Sequence, residues 1–291
     1  MNELVFPNIN IENLAKWEGD LSPLECIEIK DETHNVKSFT FKSKLDAWFH
    51  FLPGQHTTLF LNIDGSEVMR TYTIASSPTR PHTITITNKR MNDGVVTNWM
   101  HESLKVGDCI DALDIGGSFS VALDKPRTKI LLMSGGSGIT PMLSMARYCI
   151  DLSLNVDLIF IHHAQSSKDL IAKDELEYYQ LHKSNFQRHF ICDVADSDWQ
   201  GPSGFLNHEM LIELVPDFVD REIYCCGPEP YMINAKKILE SNDFDMSSYH
   251  QESFDIESST AQKNMAINHE LPKHEVPAEE INEYNVTLSK S

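Results

Sequence analysis

The tetrapeptide Arg70-Thr71-Tyr72-Thr73 lies inside the β-rich run VMRTYTIASSP. A guanidinium on a rigid strand can grip a pyrophosphate with two hydrogen bonds, and an aromatic two residues further along shares its face and can stack on a planar ring. That combination suits a flavin dinucleotide. Taken alone, the tetrapeptide also fits a surface arginine beside a packed tyrosine in an ordinary strand. Downstream, Asn88-Lys89-Arg90 precedes Gly94-Val95-Val96-Thr97-Asn98, where a glycine turn opens a helix and offers unpaired N–H groups and a hydroxyl to phosphate. Arg70, Arg80, Lys89 and Arg90 form a local basic cluster in an otherwise acidic stretch, which favours an anion site over a solvated face.

A second constellation begins at Gly135-Gly136-Ser137-Gly138-Ile139-Thr140-Pro141, between a buried-strand run and a helical pattern. This is where a phosphate-cradling loop sits at the carboxyl edge of a parallel sheet, and Pro141 is placed there as the first helical residue. The turn departs from G-x-G-x-x-G at its third glycine. No acid ends the next strand, VDLIFIHH, to take a ribose hydroxyl. Further on, Cys226-Gly227-Pro228 turns from the strand EIYCC into the last helix. Cys226 either faces a reacting ring at the same sheet edge or, like Cys225, is a small buried thiol ending a strand. His162-His163 reads as strand packing, and Met142 with Met145 as helix core. Neither Ser134 nor Ser137 stands in G-x-S-x-G with a matching acid and base, so a serine-hydrolase reading fails.

The elements that must hold these residues fall into two styles. From residue 24 to 124, short β-rich runs separated by turn residues, with one helical pattern over 95–104, predict a small antiparallel barrel with an inserted helix. From 125 to 254, strands alternate with helices, which predicts a doubly wound parallel sheet. The fold class is thus β plus α/β. Residues 1–23 read as an extension on the barrel, and 255–291 as an acidic linker ending in a strand-like stretch at 284–288. With 43 acids against 24 bases the net charge of −19 disfavours nucleic acid. No apolar run is long enough to span a bilayer, no export signal opens the chain, and the six cysteines show no metal-ligand spacing. A cytoplasmic protein with reduced thiols and no metal site of its own is expected.

Five motifs in register, Arg70-x-Tyr72-Thr73, Gly94-Val-Val-Thr97, Gly135 to Pro141, Cys226-Gly-Pro228 and Glu252-Ser-Phe254, resemble those of the ferredoxin reductase superfamily. The Glu-Ser-Phe ending and acidic linker are similar to the NADH oxidoreductases of hybrid-cluster protein and to oxygenase reductase components. The resemblance implies a flavin-dependent NAD(P)H oxidoreductase. FAD would be held by Arg70, Thr71, Tyr72 and Thr73, with Asn88, Lys89, Gly94, Val95, Val96 and Thr97 at its phosphates. The dinucleotide would be held by Gly135, Gly136, Gly138, Ile139 and Thr140, with Cys226, Gly227, Pro228, Glu252 and Phe254 around the rings. It makes Thr73, Cys226 and Glu252 the catalytic residues. Relatives often carry Ala-Arg where this chain has Ala164-Gln165-Ser166-Ser167-Lys168, which implies NADH as the donor, with NADPH as the second possibility.

Electrons would then leave singly for a 2Fe-2S ferredoxin domain, which follows the linker in these relatives. The stretch NEYNVTLSKS resembles its first strand, but the four cluster cysteines are absent, so a fragment or an early-ending reading frame is expected. The terminal acceptor expected first is a hybrid-cluster protein; the alternative is that the chain is the reductase component of a multicomponent oxygenase or desaturase. From another class, a non-catalytic FAD-binding electron-transfer subunit also fits.

Overall fold

Alternation is visible in the first strands. In β1 (Ser22–Thr33) and β2 (Val36–Ser43), Leu24, Cys26, Phe39 and Phe41 turn inward and alternate with more exposed residues such as Glu25 and Thr40. The computed structural model describes residues 15–45, 47–122, 128–197 and 199–254. Four more strands, β3 (His56–Ile63), β4 (Ser66–Thr73), β5 (Thr83–Lys89) and β6 (Cys109–Gly116), complete a six-stranded sheet in the order β4-β3-β6-β1-β2-β5. Its outer strands meet where Ile74 bridges Ile86 and the Ala75 amide donates to the Thr85 carbonyl, so the sheet curls towards a barrel. The interior holds Phe39, Phe41, Leu59, Ile84 and Ile86. Helix α1 (Val95–Glu102) adds Val96 and Met100 to that core. The strand β6 was not marked out by the sequence. Its text, CIDALDIG, carries two aspartates and a glycine, and only Ile110 and Ala112 are buried.

Beyond the barrel, β7 (Lys129–Gly135), β8 (Asp157–Ala164), β9 (Phe186–Cys192), β10 (Glu222–Cys226) and β11 (Tyr249–Glu252) form a parallel sheet in the order β11-β10-β7-β8-β9. Helices α2 (Ile139–Asp151), α3 (Lys173–His182), α4 (His208–Leu214) and α5 (Glu229–Glu240) connect them. Apolar clusters lie on both faces, one built on Leu132, Phe160 and α2, the other on Leu131, Ile161 and α5. Such two-sided burial is the reason these strands read as continuous apolar runs.

Two sequence expectations need correction. Pro141 is the third residue of α2, not the first, because a short turn over Gly136–Gly138 lets the helix begin at Ile139. Position three is still inside the first turn, where an N–H has no partner within the helix, so proline fits. The alternation also continues past residue 242 into β11, whose four residues are too short to give a period. The expected linker and the strand-like stretch at 284–288 lie outside the described residues.

Candidate functional site

On β4, Arg70 and Tyr72 share one face and Thr71 and Thr73 the other. Arg70 is exposed, and its Nη1 donates to the Met69 carbonyl at 2.7 Å. Tyr72 leans half-buried against the barrel core. Burial pushes its phenol up to about 12, so the ring offers a neutral aromatic face at any ordinary pH. Thr73 is buried, and the Thr71 hydroxyl shares a hydrogen bond with Thr58 at 2.8 Å.

The basic cluster read from the sequence is partly consumed by carboxylates. Arg80 forks onto Asp151, and Arg90 pairs with Glu102 and with Asn98. The anion-site argument therefore narrows to Arg70, Lys89 and the start of α1. Asn88 is buried and turned towards that helix, with its Nδ2 3.1 Å from the Met100 sulfur and its Oδ1 3.0 Å from His101 Nε2. Its side chain fastens the helix, while Lys89 next to it is half-buried. Gly94 caps α1 and has room for nothing larger, since a Cβ there would lie 2.3 Å from Thr97 Oγ1. No side chain caps this helix start. The Thr97 hydroxyl donates back to the Gly94 carbonyl, Val96 is buried and Val95 is exposed.

At the carboxyl edge of the parallel sheet, the turns after β7 and β10 are packed backbone against backbone. A Cβ on Gly138 would lie 2.4 Å from the Cys226 carbonyl, and one on Gly227 3.0 Å from the Gly135 amide. Pro228 and Tyr231 close over Gly135 from the other side. Gly136 adopts φ +51° with open space around it, a left-handed turn that glycine makes at no cost. Ile139 and Thr140 lead α2, whose start also lacks a side-chain cap. The open backbone and bare helix N-terminus fit a pyrophosphate.

Cys226 is fully buried and stands in register with Glu252 on β11. Burial pushes its thiol up, and the neighbouring Glu252 adds to the effect. Glu252 is itself raised to about 7 by desolvation, and its Oε2 is buried with no hydrogen-bond partner. A buried carboxyl with an orphaned oxygen, beside a neutral thiol, fits a polar ring system seated against it. Phe254, two residues on, is exposed.

The loop after β8 holds features that the sequence did not reveal. Ser166 donates to Asp169 at 2.6 Å and Ser167 donates to Asp196, so both hydroxyls are already engaged by carboxylates. His162 is fully buried and hydrogen-bonds Ser134 at 3.0 Å, and burial drives it down to about 3. Arg147, Ser144 and Asp151 were also unforeseen, and Glu175, which the acid-rich run 174–177 places on a solvated helix face, is instead bound by Arg147 and Tyr179. Spacing is the signal for three of them, since 144, 147 and 151 lie on one face of a helix.

Two family models match in tandem, "Oxidoreductase FAD-binding domain" over residues 23–134 and "Oxidoreductase NAD-binding domain" over 132–237. The glycine betaine monooxygenase reductase subunit of Pseudomonas aeruginosa is 44% identical over 248 residues, spanning 84% of this chain and 68% of that one. The chain belongs to the ferredoxin reductase-like FAD- and NAD-binding oxidoreductases. A further member, NADH oxidoreductase HCR of Escherichia coli, is 31% identical over 212 residues, covering 72% of this chain and 61% of that protein. Among solved structures, the FAD/NAD-binding domain of nitric oxide dioxygenase from Vibrio cholerae superposes with a TM-score of 0.72 at 22% identity, covering 81% of this chain and 99% of that one. This last likeness is one of fold. The chain spans about two thirds of the length of the oxygenase-reductase relative. Among the described residues no helix is long and apolar enough to cross a membrane.

Proposed function

We propose that this chain takes reducing equivalents from NADH onto FAD and delivers them to an iron-sulfur acceptor, as the reductase component of an oxygenase. FAD, when bound, accepts two electrons with a proton from the nicotinamide and releases the electrons one at a time. The observation that carries the reading is the pair of glycine turns packed against each other beside the Cys226–Glu252 register pair, one domain away from the Arg70–Tyr72 face.

In this reading Arg70 and the start of α1 hold the flavin pyrophosphate, Tyr72 backs its ring, and Thr73 lies beside the reacting nitrogen. The turn from Gly135 to Thr140 holds the donor's pyrophosphate. Glu252, poised near neutrality, and the neutral Cys226 thiol line the place where the nicotinamide meets the flavin. Phe254 covers the ring face opposite Tyr72. NADH is the favoured donor because Asp169 and Asp196 engage Ser166 and Ser167 of the loop that carries Lys168, so a 2′-phosphate bound by this loop would meet negative charge. The acceptor is a tethered 2Fe-2S domain, since a net charge of −19 repels a free acidic ferredoxin and tethering removes the need for attraction. The oxygenase reading stands ahead of the hybrid-cluster reading on 44% against 31% identity.

Anaerobic addition of NADH, and separately NADPH, to the FAD-loaded protein tests this at the flavin absorbance band. Rapid bleaching by NADH and slow bleaching by NADPH is expected. Equal rates would remove the donor assignment, and no bleaching by either would remove the function.

A further inference from the structure

The six residues that follow Ile74, Ala75 to Arg80, start beside β5 of the barrel and run along α2. The Ala75 carbonyl accepts from Arg147 Nη1 at 2.7 Å, and the Ser76 carbonyl accepts from the Ser144 hydroxyl at 2.7 Å. Further on, Thr79 donates to Asp151 at 2.5 Å, and Arg80 donates to both oxygens of that carboxylate at 3.0 and 2.8 Å. Residues 144, 147 and 151 recur at i, i+3 and i+7, so one polar stripe of a largely buried helix carries every one of these bonds.

Helix stability does not account for the stripe. Asp151 is the last residue of α2, where a negative charge opposes the helix dipole, so what holds it there is the fork from Arg80 across the domain boundary. Arg147 is nearly buried, and its other two nitrogens are bound by Glu175 of α3 at 2.8 and 2.6 Å. Tyr179 donates to the same carboxylate at 2.6 Å. A buried ion pair of this kind contributes little net stability, but its planar fork fixes direction. The barrel also approaches α2 at Gly54, where a Cβ would lie 2.2 Å from the Phe119 carbonyl and 2.7 Å from the Met145 methyl.

Both cradles adjoin the Ser144–Arg147 part of the seam, where Ala75 and Ser76 are held, while Thr79 and Arg80 close its far end on Asp151. The first turn of α2 follows Gly135–Gly138, and the 75–80 segment follows Tyr72 and Thr73 within a few residues. We propose that the Ser144–Arg147–Asp151 stripe is a ruler that sets the separation between the donor cradle and the flavin face, with Arg147 its principal positioning residue. The inference rests on the function proposed above and adds to it residues that touch neither cofactor. Backbone carbonyls are what Arg147 and Ser144 hold, so the strand end is fixed independently of which side chains line it.

Three variants test this: Arg147→Lys, which keeps the charge but loses the fork, Arg147→Met paired with Glu175→Leu, and Asp151→Asn at the far end. Amide hydrogen exchange over residues 74–80 in the flavin-free protein should accelerate in all three. FAD and NADH affinities should stay within about twofold, while the limiting rate of flavin reduction falls roughly 10- to 100-fold, the scale on which ångström-sized misplacement acts. The primary isotope effect with C4-deuterated NADH should become more steeply temperature-dependent, a change that loss of thermal stability alone does not produce. Parent-like limiting rates and isotope effects in folded variants would overturn the ruler while leaving the function intact. If the Arg147 variants fail to fold, Asp151→Asn decides by the same readouts. A parent protein that NADH does not reduce would overturn both.

Discussion

Glu252 is the residue at which a single proton is most informative. Its carboxyl is raised to about 7 from an ordinary 4.5 by desolvation, so between those values the folded chain holds a proton that the unfolded chain has lost. The protonated form is the one burial favours, and stability is lost as pH rises through 4.5 towards and past 7. The free energy of unfolding of the parent, relative to Glu252→Gln, should therefore fall by roughly 3 kcal/mol from pH 4 to pH 8. Urea unfolding at several pH values measures it, and a pH-independent difference would show that the carboxyl is solvated. The subtraction matters because His162, driven down to about 3, has the opposite sign: its contribution is present above its ordinary value and lost as pH falls towards 3. Thiol chemistry follows burial in the same way. Cys109 is exposed while Cys26, Cys149, Cys192, Cys225 and Cys226 are buried, so native alkylation followed by mass spectrometry should label Cys109 first and leave Cys226 intact. Early modification of Cys226 would contradict its placement. The motif residues stand out in the sequence by their types and spacing. The raised carboxyl does not, since it depends on how deeply the fold buries Glu252.

Among the elements, the turn between β7 and α2 tolerates least. A methyl at Gly138 would meet the Cys226 carbonyl carbon and oxygen at 2.4 Å and the Gly227 amide at 2.5 Å, and backbone cannot rotate aside as a side chain can. Gly138→Ala should cost at least about 2 kcal/mol of stability and weaken NADH binding together, measured by denaturant unfolding and by titration. Gly136→Ala, with open space but a left-handed φ, should cost about 1 kcal/mol. Equal losses at both positions would mean that the two turns are not in contact. Most strands and helices were legible because each is long enough to show a period of two or a buried run. The exceptions are informative. β6 carries polar residues that blur its alternation, and β11 has four residues and owes its existence to pairing with β10. The inserted helix was legible as a helical pattern over 95–104, though it ends at Glu102, whereas the role of Asn88 in anchoring it depends on the fold bringing β5 beside it.

At the level of the whole molecule, the barrel and the parallel sheet were foreseeable from the change of style in the sequence, and how they join was not. Nothing in the sequence ties Arg147 and Asp151 to residues 75–80, and only the folded chain shows them meeting that segment, with Glu175 behind Arg147. Removing one partner of the buried pair strands the other, so Glu175→Gln should cost about 3 kcal/mol in denaturant unfolding, whereas the exposed pair Lys236–Glu240 should contribute under about 1 kcal/mol. A Glu175→Gln protein of parent stability would show that the pair is solvated. The central claim is that one chain seats a flavin and a nicotinamide against each other between its two sheets. Loading the purified protein with FAD and mixing it anaerobically with NADH in a stopped-flow spectrometer tests this most directly. The account predicts that the protein retains the yellow dinucleotide through gel filtration and that NADH bleaches it in a single fast phase. A colourless protein after gel filtration, or a bound flavin that NADH leaves oxidised, would contradict it.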